Sequence, residues 1–264
     1  MAVDRAVIRI AAIGDLHCTK ALPPGGLAPL FLQAAESADV LVLCGDLTDY
    51  GLPDEARALA RELTSVKMRV LAVLGNHDLE SEKAGEVCQI LGDAGVTVLD
   101  GDSVEVHGVG FAGVKGFAGG FGERGLQSWG EPVIKAFVRE AVDEALKLEA
   151  ALARLRTPQR IALLHYSPVA GTVDNEPPEI YAFLGSSRLE DPINRYSVTA
   201  VFHGHAHRGR PEGRTSAGVP VYNVALPLLR RSFPDRPPFR LLELPVDGRP
   251  RVASVDGPAL ARTA

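Results

Sequence analysis

The sequence has few cysteines and few aromatic residues. Its 264 residues include three cysteines, Cys18, Cys44 and Cys88, and aromatic side chains make up 6% of the chain. An odd and sparse set of cysteines argues against a disulfide framework and favours a reducing compartment. We therefore predict a cytoplasmic protein whose thiols stay free.

Long apolar runs are also missing. No stretch approaches the ~20 consecutive apolar residues that a membrane-spanning helix needs. Near the N-terminus, Asp4, Arg5 and Arg9 interrupt any apolar segment, so the core of a signal peptide is absent. The sequence thus predicts a protein that does not associate with membranes.

An excess of positive charge is the third feature that the sequence lacks. There are 28 basic and 33 acidic residues, which gives a net charge of −5. A chain of this balance has no general affinity for nucleic acid, so we expect none as a partner. The length suffices for one well-buried α/β domain, and we predict a single domain over residues 1–264.

Strand-like and helix-like segments alternate in the first half of the chain. Short continuous Val/Ile/Leu runs are typical of strands buried on both faces, and helical spacing separates them. This alternation predicts βαβ crossovers and a mainly parallel sheet. The predicted elements are strands at Ala6–Ile13, Val40–Cys44, Arg69–Leu74 and Val96–Leu99, and helices at Leu27–Ser37, Asp54–Val66 and Glu82–Ala94.

The second half follows a different pattern. Val104–Val106 and Val109–Val114 have no helix between them, which predicts a hairpin that leads into a second sheet. Residues 115–130 and 168–188 lack a clear period, and long irregular segments often form substrate loops. The remaining predictions are a long helix at Val133–Leu155 and strands at Arg160–Leu164, Val198–Phe202, Val219–Val224 and Leu241–Leu244.

Five polar clusters each follow one of the apolar runs. In open α/β sheets, ligands collect outside the carboxyl ends of the strands, so clusters distant in sequence can converge there. Asp, His and Asn without Cys form a ligand set that suits Mn, Fe or Zn. The clusters are Gly14-Asp15-Leu16-His17, Gly45-Asp46-Leu47-Thr48-Asp49, Gly75-Asn76-His77-Asp78, His165 and His203-Gly204-His205-Ala206-His207.

Several residues near these clusters have plainer interpretations. Asp49 is placed to cap a turn, and Asp78 is placed to cap a following helix, which is our preferred interpretation for Asp78. His203 still belongs to the preceding strand, so a packed and hydrogen-bonded histidine is favoured there. For five further polar residues, substrate contact and simple solvation are equal alternatives: Arg124, Tyr166, Asn175, Arg208 and Arg210.

The ordered motifs D-x-H, G-D-x-x-D, G-N-H-D, a lone His and G-H-x-H resemble the calcineurin-like metallophosphoesterase family. The resemblance runs from Asp15 to His207. It implies a four-layer α/β/β/α sandwich with a dinuclear centre of divalent or trivalent cations (Mn, Fe or Zn). By this resemblance, one metal is held by Asp15, His17 and His207, the other by Asn76, His165 and His205, and Asp46 bridges them.

The resemblance also implies a mechanism. A hydroxide that bridges the two metals would attack phosphorus while the cations neutralise the phosphoryl oxygens. His77 would assist the leaving group, and Asp49 would orient the His77 imidazole as a supporting carboxylate. Neither a G-x-S-x-G nor a P-loop motif occurs, so no other nucleophile is indicated.

Within the family, small bacterial-type phosphodiesterases match the motif pattern best. Related protein phosphatases carry Arg after the second Asp of G-D-x-x-D and Glu at the end of the third motif, where this chain has Tyr50 and Asp78. We therefore expect a small phosphoester substrate, nucleotides included, and favour a phosphodiester.

Other functions are weighed against this one. A phosphomonoesterase of the same family, acting on a small molecule or a protein, is the main alternative. A DNA-repair nuclease would need a basic groove, which an acidic chain of this length does not show. A non-catalytic metal-binding scaffold belongs to a different class, but all seven expected ligands are present. The late H-x-H without a trailing Asp-His disfavours a metallo-β-lactamase-type hydrolase.

Overall fold

A computed structural model describes residues 7–64 and 66–245. Ala6, where the first predicted strand begins, lies outside the described residues. The strands are β1 (Val7–Ile13), β2 (Val40–Cys44), β3 (Arg69–Val73), β4 (Val96–Val98), β5 (Asp102–Val106), β6 (Val109–Gly113), β7 (Gln159–Leu163), β8 (Ala200–His203), β9 (Glu212–Arg214), β10 (Pro220–Asn223) and β11 (Arg240–Pro245). The α-helices are α1 (Ala28–Ser37), α2 (Pro53–Leu63), α3 (Ala84–Asp93), α4 (Pro132–Arg154), α5 (Tyr181–Leu184), α6 (Glu190–Arg195) and α7 (Leu226–Ser232).

The strands form two mixed sheets. The first has five strands in the order β11-β1-β2-β3-β4, and only β11 is antiparallel to its neighbour. The second has six strands in the order β5-β6-β7-β8-β10-β9, with a parallel centre and antiparallel pairs at both edges. Strands β1, β2, β3, β6, β7 and β8 therefore end at one edge of the sandwich.

Three hydrophobic layers hold the sheets and helices together. The central layer lies between the sheets, where Val42 and Leu71 of the first sheet share a cluster with Phe111 and Phe202 of the second. A second layer packs helices α1, α2 and α3 on the outside of the first sheet. The third packs α4 and α6 on the outside of the second sheet. The predicted four-layer α/β/β/α sandwich is thus confirmed.

Most predicted elements are found with small shifts at their ends. The hairpin β5–β6 turns at His107-Gly108, where both residues have positive φ, as a tight hairpin turn requires. The sequence did not predict β9, α5, α6 and α7. Three of them, β9, α5 and α6, are short, and α7 contains a run of Leu and Pro without a clear polar face, so periodicity gives little signal there.

In the described part of the chain, no helix combines the length and the apolar character that crossing a membrane requires.

Candidate metal centre and active site

The five polar clusters meet at the edge of the sandwich where the central strands end. Three groups of His and Asp ligand atoms form there, and within each group the atoms lie within 4.8 Å of one another. One group joins the first and last clusters, one lies within the first three, and one joins the second with the last two. The groups are Asp15, His17 and His207; His17, Asp49 and His77; and Asp46, His165 and His205.

Asp15 links the first cluster to the last. It is 2% exposed, and its carboxylate accepts a hydrogen bond from the backbone N–H of His205 at 2.9 Å. The same carboxylate lies 3.0 Å from Nε2 of His207. Two residues that are 190 positions apart in sequence are therefore in direct contact at the strand ends.

Asp46 occupies the centre of the site. Its Oδ1 accepts from the backbone N–H of His77 at 2.9 Å and lies 3.4 Å from Nε2 of His165. Its other oxygen lies 3.8 Å from Nε2 of His17. The Asp46 carboxylate is thus the one that faces both the first and the third group of ligand atoms.

The ring of His165 is oriented by the first sheet. The backbone carbonyl of Cys44 can only accept, so Nδ1–H of His165 donates to it at 3.0 Å. This bond leaves Nε2 facing Oδ1 of Asn76 at 3.0 Å and the carboxylate of Asp46. A carbonyl that fixes the tautomer of a histidine is the usual support for a metal ligand.

His205 is oriented in the same way by a backbone carbonyl of the segment 168–188. Its Nε2–H donates to the backbone carbonyl of Phe183 at 3.1 Å, which leaves Nδ1 as the ligand atom. His205 lies edge-on to His165, with ring centroids 4.8 Å apart.

One buried ring nitrogen lacks a hydrogen-bond partner. Nε2 of His17 is inaccessible to solvent and has no hydrogen bond, although the carboxylate of Asp46 is nearby. A buried polar atom without a partner is costly unless something else binds it. A cation between His17 and Asp46 would meet that need, so the residues fit a metal.

The distances between the ligand atoms fit a metal as well. Ligands about 2.1 Å from a cation are about 3.0 to 3.4 Å from one another in octahedral or tetrahedral geometry. The pairs His165–Asn76, His165–Asp46 and His207–Asp15 lie at 3.0, 3.4 and 3.0 Å.

Glycines in the motifs make room for the ligands. A Cβ on Gly75 would overlap the carboxylate of Asp46, and one on Gly204 would overlap that of Asp15. Glycines after strands often permit unusual turns. At Gly75 and Gly204 the reason is instead the close approach of a carboxylate to the backbone.

The strained backbone lies at the ligands themselves. Among the described residues other than glycine, eight have positive φ, and four of these eight are expected metal ligands. Left-handed conformations are costly for such residues and persist where the surroundings impose them, often at functional sites. The four are Asp15 (φ +57°), His17 (φ +44°), Asp46 (φ +48°) and His205 (φ +69°).

The charges of the buried groups are strongly coupled. Burial alone would raise the pKa of Asp46, but the adjacent His165 outweighs it and holds that pKa below its ordinary range. Burial alone would lower the pKa of His165, but Asp46 raises it to about 9. Burial and the neighbouring His165 lower the pKa of His205 to about 4, so this ring is neutral, as a metal ligand must be.

His77 lies beside these groups with its ring edge-on to His17, at a centroid distance of 4.6 Å. Its Nδ1–H donates to the backbone carbonyl of Asp49 at 2.6 Å, which leaves Nε2 open. The expected contact through the Asp49 carboxylate is therefore corrected. That carboxylate instead lies 3.4 Å from Nδ1 of His17.

Asp78 does not cap a helix, which corrects our preferred interpretation. It is fully buried, and its carboxylate accepts from the backbone N–H groups of Leu47, Thr48 and Gly75 and from the hydroxyl of Thr48. Asp78 thus ties the second cluster to the third.

His203 is a packed histidine, as expected. It is fully buried, its Nε2 lies 2.8 Å from the hydroxyl of Thr172, and burial lowers its pKa to about 4. Asn223 supports the same region by donating to the carbonyl of Ala206 at 2.8 Å. Thr172 and Asn223 carry no motif, so sequence reasoning did not select them.

The candidate substrate residues have different surroundings. Tyr166 is buried against His205, at a ring distance of 4.5 Å. Arg210 pairs with Asp174 at 3.2 Å, whereas Arg208 is engaged through its backbone N–H. Asn175 occupies an exposed turn with φ +83°, and the side chain of Arg124 lies outside the described part.

A search of curated protein sequences gave no match. Solved structures do resemble the chain, and at identities below 25% they establish a shared fold. Phosphopantetheinyl hydrolase (PptH) from Mycobacterium tuberculosis is 17% identical with a TM-score of 0.64, covering 90% of this chain and 96% of its own. A protein of Thermus thermophilus, TT1561, is 16% identical with a TM-score of 0.52, covering 91% and 99%.

A third similar structure is a putative 5'-nucleotidase from Staphylococcus aureus. It is 14% identical with a TM-score of 0.50, and the match covers 82% of this chain but 48% of that one. The sequence profile described as calcineurin-like phosphoesterase matches residues 8–209, more than three quarters of the chain. The chain therefore belongs to the calcineurin-like phosphoesterase family and is a metal-dependent hydrolase of phosphoester bonds.

Proposed function

We propose that this enzyme hydrolyses a small phosphodiester with two bound cations, Mn, Fe or Zn. Asp15, His17 and His207 would hold the first, and Asn76, His165 and His205 the second. The observation that carries the proposal is the position of Asp46, whose two carboxylate oxygens face His165 on one side and His17 on the other. A carboxylate shared in this way is what a two-metal centre requires.

Hydrolysis forms one P–O bond to the oxygen of water and breaks the P–O bond to the leaving alcohol. When bound, the two cations supply a nucleophile from water near neutral pH and neutralise the phosphoryl oxygens. Asp15 and Asp46 are fixed by backbone N–H donors, and His165 and His205 by carbonyl acceptors, so the ligand atoms are oriented before a cation binds.

His77 moves the proton. Because its Nδ1–H is held by the carbonyl of Asp49, the imidazolium form of His77 gives the proton on Nε2 to the leaving oxygen, and the proton released by the attacking water restores that form. The backbone N–H of His77 donates to Asp46, so the general acid and the shared carboxylate are held at a fixed separation.

The residue at position 50 favours a phosphodiester over a monoester. Tyr50 stands where related protein phosphatases have arginine, and its side chain is 57% exposed, so the second charge of a monoester lacks that cationic partner. The names of two similar structures, a phosphopantetheinyl hydrolase and a putative 5'-nucleotidase, agree with a small phosphoester.

The role of His77 is tested by His77→Asn in metal-reconstituted protein. The turnover of bis(p-nitrophenyl) phosphate should fall about 10²- to 10⁴-fold, the usual contribution of a general acid, while elemental analysis gives unchanged metal content. His107→Asn, in the β5–β6 turn, is the matched control and should retain full activity. Loss of metal from His77→Asn would make His77 a ligand and contradict the proposal.

The substrate preference is tested with p-nitrophenyl phosphate against bis(p-nitrophenyl) phosphate, together with cyclic nucleotides. The diester should be hydrolysed with the higher kcat/KM. A higher value for the monoester would favour a phosphomonoesterase.

A further inference from the structure

We propose that Phe183 forms an aromatic wall beside the metal centre and stacks on a flat, aromatic or heteroaromatic ester group of the substrate. This inference rests on the proposed phosphodiesterase function and names the class of substrate. It is carried by a contact between the main chain of Phe183 and a metal ligand, and by the exposure of the Phe183 ring.

The main chain of Phe183 is fixed at the site. Its carbonyl accepts from Nε2–H of His205 at 3.1 Å, so the residue is adjacent to an expected metal ligand. Its neighbours anchor α5 on either side. The carbonyl of Ala182 accepts from Gly119, and that of Leu184 accepts from Ser167.

A chain of ring contacts leads from the metal centre back to Phe183. His205 lies 4.5 Å from Tyr166, Tyr166 lies 5.9 Å from Phe117, and Phe117 lies 4.9 Å from Phe137. The ring of Phe137 in turn lies 6.2 Å from that of Phe183. Phe183 is therefore connected to His205 both by this series of ring contacts and by the hydrogen bond to its backbone carbonyl. The Phe183 ring is therefore held near the site by packed aromatic side chains.

The exposed fraction of the side chain increases along this series of rings, from Tyr166 to Phe183. Tyr166 is 7% exposed, whereas Phe183 is 56% exposed. The Phe183 ring is nearly perpendicular to Phe137, at 81°, so the two do not stack and a face of Phe183 remains available. An open aromatic face next to a polar reaction centre suits stacking of a flat group.

Other exposed apolar side chains lie on the same two elements, the segment of Phe183 and helix α4. Ile180, in the 3₁₀ helix before α5, is 38% exposed, and Val133, one helical turn before Phe137 on α4, is 72% exposed. Exposed apolar patches of this kind mark ligand or partner sites. Because this apolar patch lies next to the reaction centre, the group that binds to it is part of the substrate.

The test uses three diesters that share p-nitrophenol as the leaving group and differ in the second ester group, which is phenyl, hexyl or methyl. Wild-type enzyme should prefer the phenyl ester. Phe183→Ala should raise KM for the phenyl ester about tenfold, the order expected for loss of one stacking contact, with kcat within about twofold because binding and not chemistry is affected. KM for the methyl ester should change less than about twofold.

Two variants serve as controls. Phe183→Leu keeps apolar volume without the ring and should lose most of the phenyl preference. Leu146→Ala removes an equally exposed apolar side chain of α4, well beyond Phe137 along the helix, and should change nothing. All Phe183 variants keep the backbone carbonyl that holds His205, so metal content should equal that of the wild type.

The possible failures are distinct. If wild-type enzyme hydrolyses none of the diesters, the proposed function fails. If it hydrolyses all of them and Phe183→Ala does not alter the phenyl preference, the aromatic wall is wrong. If the enzyme prefers the hexyl and the phenyl ester equally over the methyl ester, the contact is a general apolar one and stacking is wrong. A change of oligomeric state in Phe183→Ala with unchanged kinetics would assign the surface to a second copy of the chain.

Discussion

The two sheets contribute different chemistry to the site. The first sheet supplies two carboxylates, Asp15 and Asp46. Each of these carboxylates is held by a hydrogen bond from a backbone N–H group. The second sheet supplies His165 and His205, whose rings donate to carbonyls of Cys44 and Phe183. Each half is therefore oriented by main-chain groups of the opposite polarity, and the remaining candidate ligand atoms meet at the edge of the sandwich where the strands end.

This difference between the two sheets explains how the buried polar groups of the site stay hydrogen-bonded before a metal binds. Buried carboxylates need donors and buried imidazoles need acceptors, and the backbone can supply both without adding charge. Asp46 faces His17, which we assign to the first cation, and His165, which we assign to the second. The two cation positions should therefore be lost separately when one of their own ligands is changed, and together when Asp46 is changed.

The largest effect is expected from Asp46→Asn. Because the shared carboxylate is lost, both cations should bind weakly and activity should fall roughly a thousandfold or more. Activity on bis(p-nitrophenyl) phosphate and metal content by elemental analysis check this. Retained activity would contradict the bridging role.

Changes of single ligands should separate the two cation positions. His17→Ala should remove about one equivalent of metal, and His165→Ala about one, since each belongs to a different cation. Metal titration followed by elemental analysis measures the two stoichiometries. Loss of both equivalents from either variant would show that the two positions are not separable.

A methyl group should disturb the carboxylate half directly. In Gly204→Ala the added Cβ overlaps the carboxylate of Asp15, and the free energy of unfolding should fall by about 1–3 kcal/mol, the typical cost of overpacking. Gly92→Ala is the matched control, because Gly92 lies in α3 with open space around its Cα and should gain about 0.5–1 kcal/mol. Denaturant unfolding measures both.

The smallest effect is expected from Asp49→Ala. The Asp49 carboxylate lies against His17, so its loss should weaken metal affinity about 10- to 100-fold, as removal of a supporting group does. The carbonyl that holds His77 is retained, so turnover at saturating metal should stay near the wild-type value. A fall in turnover with unchanged metal affinity would instead return Asp49 to the support of His77 through its carboxylate.

Much of this fold could be predicted because local pattern and tertiary burial agree. Val40–Cys44 is a continuous apolar run and is fully buried between a helix layer and the second sheet. The hairpin of β5 and β6 follows from two short runs with a turn between them. In contrast, β9 is three residues long and largely exposed, and only its pairing with β10 makes it a strand.

The candidate site divides in the same way. Asp15, His17, Asp46, Asn76, His165, His205 and His207 were selected from motif order, because ligand chemistry restricts the residue type at each position. The residues that hold them were not. Phe183 holds His205 through a backbone carbonyl, which any residue could supply, and Thr172 supports the neighbouring packed histidine His203 through a single hydroxyl.

The sequence by itself determined the family, the layered fold and the type of candidate ligand at each strand end, since each depends on residue chemistry or on period. The tertiary structure alone decided which main-chain group orients each ligand, why Gly75 and Gly204 lack a side chain, and where Phe183 exposes its ring. These features depend on contacts between residues distant in sequence, such as Asp15 with His205, which are 190 residues apart. No local pattern records such contacts.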